Sequence, residues 1–83
     1  MKYIFYILKS LKNGNFYIGS TEDINKRLAK HNHGEVKSTK AYRPWTMVHT
    51  ESFSTRQEAR RRELRVKSWK KRSALEKLIG PIV

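Results

Sequence analysis

The sequence predicts an α+β fold, a three-stranded and mainly antiparallel sheet flanked by helices, with residues 1–83 forming a single domain. Three observations carry this expectation. Tyr3–Lys9, Phe16–Gly19 and Thr46–Phe53 are short runs rich in aromatic and β-branched residues, the composition that suits a pleated surface. Asn13-Gly14 stands between the first two runs, and both residues tolerate the positive φ that a tight hairpin turn requires. Two longer stretches, one after Ser20 and one after Ser54, repeat their apolar residues at helical spacing.

Tyr3–Lys9 is apolar on both faces, so it is expected at the centre of the sheet or covered on both sides. If Asn13 and Gly14 are the central turn residues, Ser10 faces Tyr17. Ser10 and Tyr6 are separated by an even number of positions, so Tyr6 and Tyr17 then share one face. A wider loop of even length preserves that pairing of faces, and a bulge would break it.

Ser20 or Thr21 is expected to cap a first helix running to about His33, with Glu22 and Asp23 favourable in its first turn and Gly34 ending it. Ile24, Arg27, Leu28 and His31 fall on one stripe of this helix. The apolar pair must pack inward, which aims Arg27 and His31 at the sheet edge. Glu35–Pro44 reads as a basic, polar loop. Ser54 or Thr55 is expected to cap a second helix to about Lys71, and Ser73–Ile79 reads as a short final helix. On the second helix Ala59, Glu63, Val66 and Trp69 share a stripe. An acid on the buried stripe of so basic a helix needs a reason, and pairing with Lys67 or Arg60 is the plainest one.

Composition narrows the function. Nineteen Lys and Arg against seven Asp and Glu give a net charge of +12 in 83 residues. A small, strongly basic domain most often meets a polyanion, and nucleic acid is the commonest. No helix shows a broad apolar face opposite its basic one, and no segment reaches membrane-spanning length, so no membrane association is expected. Tyr3–Leu8 is too short for a signal-peptide core. With no cysteine, a disulfide framework and a thiolate zinc site are excluded, and a cytoplasmic location is compatible.

The stretch from Tyr6 to His31 resembles the GIY-YIG nuclease superfamily, named for two short motifs on adjacent strands. The second motif is intact as Tyr17-Ile18-Gly19, and the first survives as Ile4-Phe5-Tyr6 with its tyrosine. The superfamily's arginine, ten residues beyond the second tyrosine, matches Arg27, and its later helical glutamate matches Glu63. The likeness covers nearly the whole chain and is greatest to small, stand-alone bacterial members. It implies a metal-dependent endonuclease that hydrolyses DNA, with RNA as the other polyanion, by a single-ion, tyrosine-assisted mechanism. Tyr17 then takes the position of the proton-abstracting phenol, Arg27 holds the phosphate, and Tyr6 orients water or phosphate. Glu63 binds one Mg²⁺ or Mn²⁺. An unperturbed phenol, with a pKa of about 10, is a poor base at neutral pH and needs a relay. Other branches carry a lysine directly after the second motif, whereas this chain has Ser20, which makes His31 the expected relay for Tyr17.

Lys37, Lys40, Tyr42 and Arg43, with Lys70, Lys71 and Arg72, are the expected nucleic-acid contacts on the ground of charge clustering. His33 and His49 are expected to be structural, and Trp45 and Trp69 to be core. Two other readings accompany the nuclease: a basic nucleic-acid-binding module without turnover, and a catalytic subunit that needs a DNA-recognition partner. The form of the DNA substrate and the oligomeric state are not encoded in any motif.

Overall fold

Strand propensity and the hairpin signal produce the sheet in a computed structural model that describes residues 2–80. Its strands are β1 (Tyr3–Ser10), β2 (Phe16–Thr21) and β3 (Trp45–Phe53), in the order β2-β1-β3. Its helices are α1 (Ile24–Asn32), α2 (Arg56–Lys67) and α3 (Arg72–Ile79), and a single 3₁₀ turn spans Lys40–Tyr42. Both strand pairings are antiparallel. β1 is the central strand, as its two apolar faces require.

The hairpin closes wider than a two-residue turn. Tyr17 pairs with Leu8 and not with Ser10, and Ser10 N–H donates to the Asn15 carbonyl at 2.8 Å. Ser10 Oγ accepts from the Lys12 and Asn13 amides, which organises the loop, and Gly14 supplies a φ of 78°. The displacement is even, so Tyr6, Leu8 and Tyr17 still share a face.

A bulge re-aims β3. Ile7 pairs with His49 while Leu8 pairs with Met47, so Val48 is the extra residue. Without it, Trp45 and His49 would point the same way. With it, Trp45 packs beside Tyr6 and Leu8, while Val48 packs beside Phe5 and Ile7. His49 meets the Phe5 ring edge-on and places Nε2 at 2.7 Å from Glu51 Oε2.

Two half-cores result, one on each side of the sheet. Phe5, Ile7 and Val66 centre the first, closed by Trp69, Leu75 and Leu78. Tyr6, Leu8 and Trp45 centre the second, closed by Tyr17, Ile24 and Leu28. Phe5, Ile7 and Leu8 are completely buried. Each contributes about 1.5–3 kcal/mol through removal from water.

Several boundaries differ from expectation. β2 runs on to Thr21, because Phe5 and Ile4 pair with Ser20 and Thr21 and hold both in the ladder. Asp23 therefore caps α1, its carboxylate accepting from the Lys26 amide at 3.0 Å. His33 is the C-cap, and Gly34 follows with a φ of 79°. Thr55 caps α2 as expected, accepting from the Glu58 amide. α2 stops at Lys67 and does not reach Lys71, because Lys70 takes a φ of 52°, which no helical residue adopts. Among the described residues no helix is long and apolar enough to cross a membrane.

Candidate active site

The site begins at Gly19. It pairs with Tyr6 across β1 and β2, and the Tyr6 ring lies directly over it. The missing side chain lets the phenol cross β2 toward that strand's free edge. Tyr17, two positions earlier on the same face, sets its ring 6.4 Å from Tyr6 and 4.8 Å from His31.

A directed hydrogen-bond chain starts at Arg27. Its Nε donates to the Tyr6 hydroxyl at 3.3 Å, and that hydroxyl lies 3.2 Å from His31 Nε2. His31 Nδ1 is 2.8 Å from Thr39 Oγ1, which donates to the Val36 carbonyl. Assigning the imidazole proton to Nδ1 satisfies every link: Tyr6 donates to Nε2, and Nδ1 donates to Thr39. Trp45 Nε1 donates to the Thr39 carbonyl, and Asn32 bonds both backbone groups of Trp45, so the far end of the chain is anchored in β3.

This corrects one expectation. His31 hydrogen-bonds Tyr6, and it touches Tyr17 only as a ring edge. The i, i+4 stripe correctly puts Arg27 and His31 together, but parity along a strand cannot say which phenol the imidazole reaches. Arg27 also forms no ion pair with Glu22 or Asp23, the acids that share its cleft; Glu22 pairs with Arg56 and Asp23 caps the helix. Its guanidinium is held above its usual pKa first by the Tyr6 hydrogen bond, and more weakly by Tyr17.

Burial pushes the Tyr6 phenol up, against the opposing pull of Arg27. His31, fully buried, is lowered from 6.5 to about 4, first by burial and then by the Arg27 charge. The unfolded chain binds a proton on this residue below pH 6.5, whereas the folded chain stays neutral down to about 4. Unfolding therefore takes up a proton in that interval, and stability falls as the pH drops through it. The expected loss is on the order of 3 kcal/mol. Thermal midpoints measured between those two pH values should show it, and His31→Gln should flatten that part of the curve.

Glu63 comes from the buried stripe of α2, its side chain only 5% exposed. Ser20 Oγ donates to its Oε1 at 2.7 Å, while Arg60 and Lys67 reach its Oε2 at 2.9 and 2.6 Å. Burial alone would raise its pKa. The hydrogen bonds from Lys67 and Ser20, with the charges of Lys67 and Arg60, prevail and keep the carboxyl below its ordinary range. Ser20 thus gains a definite task, fixing the carboxylate to β2. The two helix pairings anticipated for Glu63 both form.

Tyr6, Tyr17 and Arg27 therefore lie on the α1 face of the sheet about Gly19, and Glu63 reaches the next residue of β2, Ser20, from the α2 face; Gly19 and Ser20 are both on the strand that carries the second motif. The profile of the GIY-YIG catalytic domain matches residues 2–77. The chain belongs to the GIY-YIG family. It is 41% identical to a UPF0213 protein of Staphylococcus saprophyticus over 76 residues, covering 90% of this chain and 92% of that one. A UPF0213 protein of Halobacterium salinarum is 46% identical over 56 residues, 66% of this chain and 73% of its own. The solution NMR structure of a UPF0213 protein from Bacillus halodurans is similar at a TM-score of 0.60 and 36% identity, covering 95% of this chain and 83% of that one. The GIY-YIG assignment places the chain in a nuclease superfamily.

The basic residues of this GIY-YIG domain divide into two groups. Lys37, Lys40, Arg43, Lys70, Lys71 and Arg72 are all exposed. Arg72 lies over Phe16 and near Gly14, and Lys12 bonds the Ala41 carbonyl, so both clusters gather at the hairpin end of the sheet. Sequence reasoning overlooked most of the cations nearer the site and took Arg60 only as a partner of Glu63. Lys26 and Lys30 flank Arg27 in a cleft of about 280 Å³ with Thr21, Glu22 and Asp23. Arg56 and Arg60 line a second cleft of about 390 Å³ with Tyr3 and Ser20. Spacing was the available signal, since Lys30 follows Arg27 by one helical turn and Arg60 precedes Glu63 by one.

Proposed function

We propose that this protein is a metal-dependent endonuclease that hydrolyses DNA phosphodiester bonds with one divalent cation and tyrosine assistance. The observation that carries the reading is that Arg27 with two phenols, on one face of β2, and an ionised Glu63, on the other, meet consecutive residues of that edge strand, Gly19 and Ser20. Phosphodiester hydrolysis needs charge stabilisation at the phosphoryl oxygens, a handled water proton and support for the leaving oxygen.

Arg27 is the phosphate ligand, since guanidinium remains charged and its planar fork suits non-bridging oxygens. Tyr6 is almost completely buried and spends its hydroxyl between Arg27 and His31. It acts as the positioning group that aims the guanidinium. Tyr17 is only half-buried and is the phenol that handles the water's proton.

Glu63 would hold the cation. Its donor chemistry fits Mg²⁺ or Mn²⁺, being an oxygen anion kept ionised in a nearly buried place. Among the described residues no group of three His, Cys, Asp or Glu could hold an ion alone, so waters and a substrate phosphate would complete its shell. Such an ion, when bound, supplies Lewis-acid polarisation of the phosphate and stabilises the departing oxygen. Basic side chains beside both clefts would track the backbone of the nucleic acid.

The test is incubation of the purified chain with supercoiled, linear, single-stranded and branched DNA, with and without Mg²⁺ or Mn²⁺. Tyr17→Phe should cut the rate by about a hundredfold or more while DNA affinity and thermal stability hold. Full activity in that variant would remove Tyr17 from the chemistry, and inactivity of the wild type on every DNA would leave a binding module.

A further inference from the structure

We infer that Lys67 and Arg60 are a built-in lock on the Glu63 carboxylate, which a divalent ion opens only as a phosphate draws those two cations away. The inference rests on the metal-dependent reading of this site. Its ground is the crowding of one oxygen. Oε2 of Glu63 takes Lys67 Nζ at 2.6 Å and Arg60 Nη1 at 2.9 Å, and Oε1 is held by Ser20 at 2.7 Å. A third cation could share Oε2 with these two only against like-charge repulsion, around a carboxylate that is itself 5% exposed.

The lock is a product of helical spacing, one partner at i−3 and the other at i+4 on the same stripe. It is also movable. The Lys67 and Arg60 side chains are 46% and 58% exposed, whereas Glu63 is 5% exposed, so the cations can leave and the carboxylate cannot. Room for an exchange lies alongside, in the cleft of about 390 Å³ that Ser20, Thr21, Ala59 and Arg60 border. Arg60 lines that cleft and Lys67 does not, so a phosphate entering it would compete for Arg60, while Lys67, 46% exposed, would be drawn off by a neighbouring phosphate of the same backbone. Metal and nucleic acid then promote each other's binding by the same factor, as linkage requires.

Mn²⁺ alone is the probe, titrated into the 83-residue chain without DNA and followed by electron paramagnetic resonance and calorimetry. Lys67→Met and Arg60→Met keep the apolar stems and should each bind Mn²⁺ about fivefold tighter than wild type. Lys67→Gln should match Lys67→Met, and Glu63→Gln should lose the site in every background. A short phosphorothioate duplex, its own Mn²⁺ uptake subtracted with Glu63→Gln, should tighten binding to wild type more than to Lys67→Met. Wild-type Mn²⁺ affinity in both methionine variants, or equal coupling to the duplex in wild type and Lys67→Met, overturns the lock. Cleavage is scored separately. An active enzyme with unchanged Mn²⁺ affinities defeats the lock alone, and tighter Mn²⁺ binding without cleavage of any DNA defeats only the nuclease reading.

Discussion

Glu63→Gln should abolish DNA cleavage while the protein remains folded. The two side chains are nearly isosteric, so packing beside Ala59 and Val66 survives, and Ser20 can still donate to the amide oxygen. Arg60 and Lys67 lose an anion, but both reach solvent. The stability cost should therefore stay near ~1 kcal/mol. The rate should fall by at least about a thousandfold, the consequence of removing several kcal/mol of charge stabilisation. DNA affinity should hold or rise, because a negative charge has left a basic surface. Cleavage, Mn²⁺ binding and thermal unfolding of the two proteins decide it. A wild-type rate would reduce Glu63 to a helix ion-pair partner.

Gly19→Ala should damage stability and activity together. A Cβ at this position would stand 2.6 Å from the Tyr6 hydroxyl oxygen and 2.8 Å from the ring carbon that bears it. Neither side can yield easily. Gly19 is fixed in the ladder opposite Tyr6, and the Tyr6 ring is held by Arg27, by His31 and by its own burial. The phenol must move, taking Arg27 off its aim. Overpacking of this kind should cost about 1–3 kcal/mol. Misplacing the phosphate ligand by an ångström should slow cleavage by about a hundredfold. Thermal melts and single-turnover cleavage would measure both effects. A variant with unchanged melting and rate would mean that the motif's glycine does not serve the placement of Tyr6.

Much of this layout was legible because it follows from periodicity. Two-residue alternation along β1 put Tyr6 and Tyr17 on one face, and an even widening of the hairpin could not disturb that. Helical spacing put Arg27 beside His31 and buried Glu63 with Ala59 and Val66. What escaped depends on information that no local pattern holds. Asp23 caps α1 because β1 keeps Ser20 and Thr21 in the ladder, a long-range effect that overrides capping preference. The bulge at Val48 is set by how β3 must seat Trp45 against α1 and Val48 against α2. The partner of His31 was misassigned because ring direction is a matter of packing. Thr39 went unnoticed because a threonine in a polar loop carries no sign that it anchors a buried imidazole.

The order β2-β1-β3 also governs how this chain reaches its native state. β1 and β2 are neighbours in sequence and can zip as a hairpin on a microsecond scale, about 1–10 μs. The opposite edge of β1 has to wait for Trp45–Phe53, so until that segment is available a largely apolar strand displays open backbone donors and acceptors. Tyr6 sits on that strand, and its ring finds no lasting place until α1 and β3 have both docked. Closure of the late β1–β3 seam thus seats Tyr6 with Arg27 and His31, and only the docking of α2, next along the chain, brings Glu63 to Ser20. A nascent or partly unfolded chain would hold its positive charge, and attract nucleic acid, before it could act on any.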